Sequence, residues 1–392
     1  MTQIIKPEKK TLEVADILYH HLHDYKTKYP LWPQHRKIVS DLLNCRTAQL
    51  GGHIECCDNC GSLRIAYHSC RNRHCPKCQH MPRERWLAKR KDEILPGGYF
   101  HVVFTLPHEL NTVILNNKKV LLNILFTAAS KTLLTFGKNE LNGTLGFLTI
   151  LHTWDQKLNA HFHLHCLVAG GVVSKDKKHW LPVRNDYLFN QEALSRVFRG
   201  KFIQRLDHVR QIGMLKFTGE AYGNLKNRLY LKSWVVSVCD PVKCPEHVLE
   251  YLARYTHRVA IANSRIKKLE NGTVSLTAKN RKKKIKEMIT ISAVEFIRRF
   301  LMHSLPSGFV RVRHYGFLAN RNRNKNLNAI RNLMGIAAPP EKQLAGLQEM
   351  VLQLTGTDIT ACPCCRKGKM QFLAEIPKSR ARSPSLLARS AG

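Results

Sequence analysis

Histidine recurs at every second position of one short apolar segment, residues 161–165 (HFHLH). In an extended strand alternate side chains share a face, so the three imidazoles would point one way while Phe162 and Leu164 point into a core. Two imidazoles on one strand bind a divalent metal ion and leave coordination positions open for a substrate oxygen. The spacing therefore predicts a catalytic metal site on this strand, with a purely structural histidine group as the alternative.

A further metal ligand is expected from residues near this strand. His152 lies in the preceding strand-like segment, residues 147–154, and would face the histidine strand from a neighbouring position. Asp155 is a second candidate from the same segment. His161 is the third candidate, unless it faces solvent. The sequence leaves the choice among these ligands open.

Two tyrosines stand four residues apart in a helix-like segment, residues 251–258 (YLARYTHR). At this spacing Tyr251 and Tyr255 lie on one helical face, one turn apart, with Arg254 and Arg258 as a cationic rim. A phenolate attacks a phosphodiester when a metal ion polarises the phosphate and cations stabilise the charge. The pair is therefore predicted to be nucleophilic. Ordinary packing is the alternative, because Tyr255 also falls on the apolar stripe of this helix.

The 13 cysteines are mostly grouped in close pairs, a pattern that favours zinc ligands over a disulfide framework. Cys57/Cys60 and Cys75/Cys78 are two C-x2-C knuckles separated by 14 residues, close to the spacing of a zinc ribbon. Their four thiolates are predicted to bind one structural Zn²⁺, with free buried thiols as the alternative. Further candidate ligands in the same stretch are His53, Cys56, Cys70 and His74.

Another C-x2-C knuckle, Cys362 and Cys365, lies far along the chain and has no partner pair nearby. Zinc ligands brought from elsewhere in the chain, or from a second chain, would complete this site. A reduced turn without metal is the alternative.

The chain carries a large positive charge. Its 392 residues include 63 Lys+Arg and 28 Asp+Glu, a net charge of +35, and residues 254–331 alone contain 19 basic and three acidic residues. Such a surface repels itself unless a polyanion covers it, so nucleic acid is the expected partner. The side chains expected to contact DNA are Arg71, Arg73, Arg254, Arg258, Arg311, Arg313 and Tyr315.

No uninterrupted apolar run approaches the ~20 residues of a membrane-spanning helix, and the first residues have no apolar signal-peptide core. These features predict a cytoplasmic, nucleoid-associated protein without membrane contacts.

Segments rich in β-branched and aromatic residues alternate with helical patterns in the middle of the chain, which predicts an α+β fold in which helices cover a sheet. Strands are expected at 99–106, 147–154, 161–169 and 234–238, and helices at 11–50, 109–136, 191–230 and from 245 onward. The expected domains are a helical and zinc-ribbon DNA-binding domain (1–96), the α+β domain (97–265), a basic DNA-binding region with the last knuckle (266–377) and a disordered tail (378–392).

Five ordered segments resemble one protein family. They are CRNRHCPKCQ at 70–79, HVVFTLPHELN at 101–111, LHTWDQKLNAHFHLHCLVAGG at 151–171, YLARYTHRVAIANSRI at 251–266 and FVRVRHYGFL at 309–318. Together they resemble the HUH superfamily of single-strand endonucleases, in which U is a hydrophobic residue, and more closely the rolling-circle, two-tyrosine transposases of insertion sequences. Phe162 stands where such enzymes often have proline, a difference outside the ligand set.

The resemblance implies an HUH-endonuclease-like antiparallel sheet with His163 and His165 as ligands of Mg²⁺ or Mn²⁺. It also implies Tyr251 and Tyr255 as nucleophiles that form a 5′-phosphotyrosine and free a 3′-OH. The implied enzyme is a transposase that cuts and rejoins single-stranded DNA at the element ends and joins it to target DNA. A homo-oligomer is compatible with this activity.

Two other functions stay open on the sequence alone. A non-catalytic, zinc-containing DNA-binding regulator would explain the charge and the cysteines, but not the histidine strand together with the paired tyrosines. A replication initiator or conjugative relaxase would share the nuclease chemistry. The sequence contains no G-x4-G-K-[S/T] phosphate loop, which argues against multidomain relaxases with a helicase but not against small initiators.

Overall fold

In the computed structural model, the residues described are 4–5, 11–215, 219–242, 247, 260–280, 285–337 and 346–379. The chain divides into two compact units. The first comprises residues 1–81, 261–298 and 341–392, and the second comprises residues 82–260 and 299–340.

The first unit contains a helix pair and two small sheets. Helix α1 (Val14–Lys28) packs on α2 (Pro33–Asn44), which begins with a proline where the missing N–H costs no hydrogen bond. One sheet has the order β1 (Ile4–Ile5), β3 (Leu63–Tyr67), β2 (Gly52–Cys57) and β13 (Met370–Ile376). The other is an antiparallel sheet of β9 (Ile266–Glu270), β10 (Thr273–Asn280) and β11 (Ile285–Ser292).

The second unit is built on one antiparallel sheet with the order β12-β5-β6-β4-β8, in which β7 also pairs with β6. Its strands are β4 (Tyr99–Thr105), β5 (Gly143–Trp154), β6 (Ala160–Ser174), β7 (Trp180–Pro182), β8 (Val235–Val242) and β12 (Val312–Gly316). The helices of this unit are α4 (Asn111–Asn116), α5 (Lys118–Glu140), α6 (Gln191–Gln211), α7 (Gly219–Leu231) and α9 (Arg323–Leu333).

Three more helices complete the described secondary structure apart from short 3-10 turns. Helices α3 (His80–Lys91) and α8 (Ala293–Met302) cross from one unit into the other, and α10 (Leu347–Thr355) lies in the first unit.

Side chains of β6 alternate between two buried faces of the sheet. Phe162, Leu164 and Cys166 belong to the main core, which α5 and α6 complete from one side of the sheet. His163, His165 and Leu167 face the other side, where Leu167 joins a smaller apolar cluster. The histidines therefore stand on a sheet face whose reverse side is firmly packed.

Helix α5 is long and apolar enough to cross a membrane by length and composition alone. Two thirds of its apolar window (67%) is buried inside the protein, and its buried side chains include Leu125, Phe126 and Leu133. This is the environment of a core helix packed on a sheet.

The predicted α+β class is confirmed. The four expected strands appear as β4, β5, β6 and β8, whereas the helices expected at 11–50, 109–136 and 191–230 are each divided into two. The helix expected from 245 onward lies outside the described residues, apart from His247. Sequence patterns did not predict the β9–β11 sheet, in which β9 and β11 mix charged and apolar residues and are largely exposed.

Candidate active site and metal centres

Three histidines on two neighbouring strands form the first candidate site. The register of β5 and β6 places His152 opposite His163, and Ile150 opposite His165, so all three imidazoles share one face. One ring nitrogen from each lies within 4.8 Å of those of the other two, and all three residues are buried. A buried group of imidazoles at this spacing can converge on a single metal ion.

Hydrogen bonds orient two of these rings. Nδ1 of His163 lies 2.9 Å from the carbonyl oxygen of His161, so this nitrogen must donate and Nε2 is the ligand atom that remains. Nδ1 of His165 lies 2.8 Å from Nε2 of His101, a buried residue of β4, and the two rings stack with their centroids 5.1 Å apart. Such partners fix the tautomer and orientation of metal-binding histidines.

The structure brings His152 into the histidine group and leaves the other two candidate ligands outside it. His161 precedes the group on β6, and its side chain is not one of the three converging imidazoles. The carboxylate of Asp155 instead organises a turn, accepting hydrogen bonds from the backbone N–H groups of Lys157 and Asn159 at 2.8 Å each. Trp154 stacks on His152 with ring centroids 4.7 Å apart.

Tyr251 and Tyr255, with Arg254 and Arg258, lie outside the described residues. Their role as nucleophiles and cationic rim stays a prediction from the sequence.

The cysteines form two groups of four, and the two N-terminal knuckles expected to share one zinc ion fall in different groups. The two expected knuckles separate: Cys75 and Cys78 lie with Cys45 and Cys70, whereas Cys57 and Cys60 lie with Cys362 and Cys365. In each group all four sulfur atoms lie within 4.8 Å of one another. The C-terminal knuckle thus lies beside the first N-terminal knuckle. The second N-terminal knuckle is grouped with two single cysteines that are nearer to it in sequence.

Sequence reasoning missed Cys45. This residue caps the C-terminal end of α2 and belongs to no C-x2-C pair, so no spacing marks it as a ligand. Cys70 was only a spare candidate for the same reason.

Hydrogen bonds lower the pKa of several of these thiols. Side-chain hydrogen bonds, first from Cys70 and to a smaller extent from Cys75, lower the pKa of Cys45 to about 7. The backbone N–H of Gly368, followed by the Asn59 side chain, lowers the pKa of Cys365 to about 6. Donors of this kind stabilise the thiolate, which is the form that binds metal.

The residues predicted to contact DNA differ in their surroundings. Arg71 is exposed beside the first cysteine group, whereas Arg73 is half-buried and burial lowers its pKa. Arg311 is also half-buried.

Arg313 and Tyr315, on β12, take part in packing of the second unit. The guanidinium of Arg313 lies over the Phe126 ring, 3.9 Å from its centroid, and donates a hydrogen bond to Asn123 Oδ1 at 2.6 Å. Tyr315 stacks on Phe147 with centroids 5.3 Å apart, and burial raises its pKa.

Comparison with known proteins identifies the family to which this chain belongs. Residues 146–326 match the family model described as "Putative transposase", and residues 17–106 match the model "Transposase zinc-binding domain". The chain is 41% identical over 373 residues to "Putative transposase y4qJ" of Sinorhizobium fredii (strain NBRC 101917 / NGR234), an alignment that covers 91% of this chain and 94% of that protein. The chain belongs to this transposase family.

A second relative links the transposase to insertion sequences. The "Transposase for insertion sequence element IS801" of Pseudomonas savastanoi pv. phaseolicola is 23% identical over 354 residues, which is 86% of this chain and 83% of that protein. These matches confirm the resemblance to the rolling-circle, two-tyrosine transposases of insertion sequences that carry an N-terminal zinc-binding domain.

Among solved structures, the conjugative relaxase TrwC in complex with mutant oriT DNA is similar at 12% identity. The TM-score is 0.24, with 61% of this chain and 75% of that chain covered.

Proposed function

We propose that the transposase cuts and rejoins single-stranded DNA at the ends of its element through a 5′-phosphotyrosine intermediate, as in rolling-circle transposition. The observation that carries this proposal is the buried convergence of His152, His163 and His165 on one sheet face. A DNA-binding protein without catalytic activity would not require three converging imidazoles, or a buried histidine, His101, that orients one of them.

The donor set fits a divalent ion. His163 offers Nε2 because its Nδ1 is engaged, and His165 can offer Nε2 because His101 lies at its Nδ1. Imidazole is a softer ligand than Mg²⁺ prefers, so Mn²⁺ is the better match of the two expected ions. When bound, the ion supplies Lewis-acid polarisation of the scissile phosphate.

The chain's own residues then carry out the transfer. The phenol oxygen of Tyr251 or Tyr255 loses its proton and forms a bond to phosphorus as the P–O3′ bond breaks, and the 3′ oxygen takes up a proton. Arg254 and Arg258 stabilise the developing charge. Because the phosphotyrosine retains the energy of the broken bond, the second tyrosine can cut a partner strand and the ends can exchange without a nucleotide cofactor.

The zinc-binding domain supplies a structural site in the first unit. We assign its zinc to Cys45, Cys70, Cys75 and Cys78. The sulfur of Cys45 lies 3.5 Å from that of Cys78 and 3.6 Å from that of Cys75. Four sulfurs at the Zn–S distance of about 2.3 Å would be about 3.8 Å apart in a tetrahedron, so little movement is needed.

The partners proposed are single-stranded DNA at the element ends and target DNA in the cytoplasm. Exposed Arg71, beside the zinc-binding cysteines, and the net charge of +35 support phosphate contacts by the first unit.

An SDS-resistant adduct tests the proposal. The transposase is incubated with Mn²⁺ and a labelled single-stranded oligonucleotide that carries its element end. Wild type, Tyr251→Phe, Tyr255→Phe and the double variant are compared, with His163→Ala as the metal-site variant. We expect an adduct that the double variant and His163→Ala both lose. An adduct that survives in the double variant would refute the tyrosine mechanism, and no adduct with any divalent ion would favour the non-catalytic regulator.

A further inference from the structure

The second cysteine group, Cys57, Cys60, Cys362 and Cys365, joins two parts of the chain that are about 300 residues apart. Sγ of Cys57 lies 3.7 Å from that of Cys365 across 308 residues, and Sγ of Cys60 lies 3.7 Å from that of Cys362 across 302 residues. The zinc-binding family model covers residues 17–106 and therefore includes only two of the four.

Strand pairing sets the positions of both knuckles. β13 runs antiparallel to β2 with Met370 opposite Cys57, which places the C-terminal knuckle beside the N-terminal one. Hydrogen bonds between the two segments continue just beyond the paired strands. The Asp58 N–H donates to the Lys369 carbonyl at 3.1 Å, and the Lys369 N–H donates to the Asp58 carboxylate at 2.8 Å. The four sulfurs thus converge through main-chain hydrogen bonds.

Both knuckles have the same local turn. The residue after the second cysteine has positive φ in each, +68° at Gly61 and +59° at Arg366. Backbone N–H groups point at sulfur in each as well: Asn59 N lies 3.4 Å from Cys57 Sγ, and Gly368 N lies 3.4 Å from Cys365 Sγ. Such N–H groups stabilise thiolate sulfur.

Gly368 allows the two knuckles to approach. A Cβ at this position would lie 2.6 Å from Cys57 Sγ and 2.5 Å from the Asp58 carboxylate. Only glycine therefore fits between the two sulfur-bearing turns, which is the close approach that a shared metal ion requires.

We propose that these four cysteines bind a second structural Zn²⁺, which fastens the C-terminal segment 362–376 to the N-terminal hairpin of the first unit. The Sγ–Sγ separations of 3.7 Å match the roughly 3.8 Å of a tetrahedral Zn–S4 site. They are far longer than the roughly 2.05 Å of a disulfide, and all four residues are free cysteines. The site makes one zinc ribbon from two ends of the sequence.

Zinc content of the purified, full-length transposase tests the site. We expect two zinc ions per chain in the wild type and one in Cys362→Ala or Cys60→Ala. Cys364→Ala is the matched control, because this exposed cysteine lies inside the same knuckle but outside the group of four; it should keep two. The same zinc content in Cys362→Ala as in the wild type would overturn the proposal.

Two measurements distinguish the loss of a local zinc site from the loss of the fold. Cobalt titration of the wild-type chain should show two equivalents with the absorption of tetrahedral sulfur coordination, and Cys362→His should retain the second equivalent because Cys3His also binds zinc. Hydrogen exchange should rise in β2 and β13 of Cys362→Ala but not in β6. A single cobalt equivalent, or exchange that rises equally in β6, would contradict a local zinc site. None of these readouts depends on DNA cleavage.

Discussion

Replacing His101 with phenylalanine tests whether a residue that is not itself a ligand orients the metal site. For His165 to bind through Nε2 as a neutral imidazole, its Nδ1–H must donate to Nε2 of His101, 2.8 Å away. His101→Phe keeps an aromatic ring in this buried position and removes the acceptor. Loss of such a partner typically weakens metal binding by about 10–100-fold, or roughly 1.4–2.7 kcal/mol.

The assay is calorimetric titration of the full chain with Mn²⁺. We expect the Kd of His101→Phe to rise by about 10–100-fold, and His101→Gln to recover part of the loss because its amide oxygen can accept the same hydrogen bond. His161→Phe is the matched control: His161 lies next to the site on β6, and its backbone carbonyl, which accepts the hydrogen bond from His163 Nδ1, is kept in this variant. An unchanged Kd in His101→Phe, or an equal loss in His161→Phe, would refute the proposed orientation.

Three further outcomes are expected. Burial and two neighbouring guanidinium groups lower the pKa of His314 to about 4, below its usual 6.5, so stability present above pH 6.5 should fall by about 3 kcal/mol as the pH drops to 4. Urea unfolding at a series of pH values should show this fall in the free energy of unfolding in the wild type and not in His314→Asn. Arg313→Met, which loses the stacking on Phe126, should reduce the free energy of unfolding by about 1–3 kcal/mol, and a change below about 0.5 kcal/mol would contradict that packing role. Cys70→Ser should lose one zinc ion per chain and lower the Tm, whereas Cys56→Ser, outside both cysteine groups, should change neither.

Local sequence patterns predicted the strands in which apolar side chains alternate regularly with the side chains of the other face. β6 was predictable because Phe162, Leu164 and Cys166 alternate with histidines, and one face of the strand is the main core. The same alternation predicted a shared face for His163 and His165. His152 remained one of three candidates, because its place opposite His163 depends on the register between strands, which no local spacing specifies.

Long-range pairing explains why the cysteine groups differed from expectation. The 14-residue interval between Cys60 and Cys75 suits a ribbon formed by adjacent knuckles. The pairing of β13 with β2 places a knuckle from the other end of the chain beside Cys57 instead. Cys75 and Cys78 are then completed by Cys45, whose position follows from where α2 ends. Neither the pairing of β13 with β2 nor the position of Cys45 beside Cys75 and Cys78 can be predicted from local sequence.

The order of strands also bears on the proposal that the tyrosines act at the histidine site. β8 pairs with β4, and its register places Ser237 opposite Val103, which in turn lies opposite His165. From Ser237 to the end of β8 at Val242 the chain moves roughly 17 Å along the sheet, away from this level. The three residues from there to the start of the helix expected at residue 245 span up to about 10 Å, and the six helical residues to Tyr251 add about 9 Å, so together they can recover the roughly 17 Å. A nucleophile from this segment is therefore compatible with a metal site on the central strands: the sheet holds the histidines rigidly, and the connection after β8 has the length to bring a phenol to them.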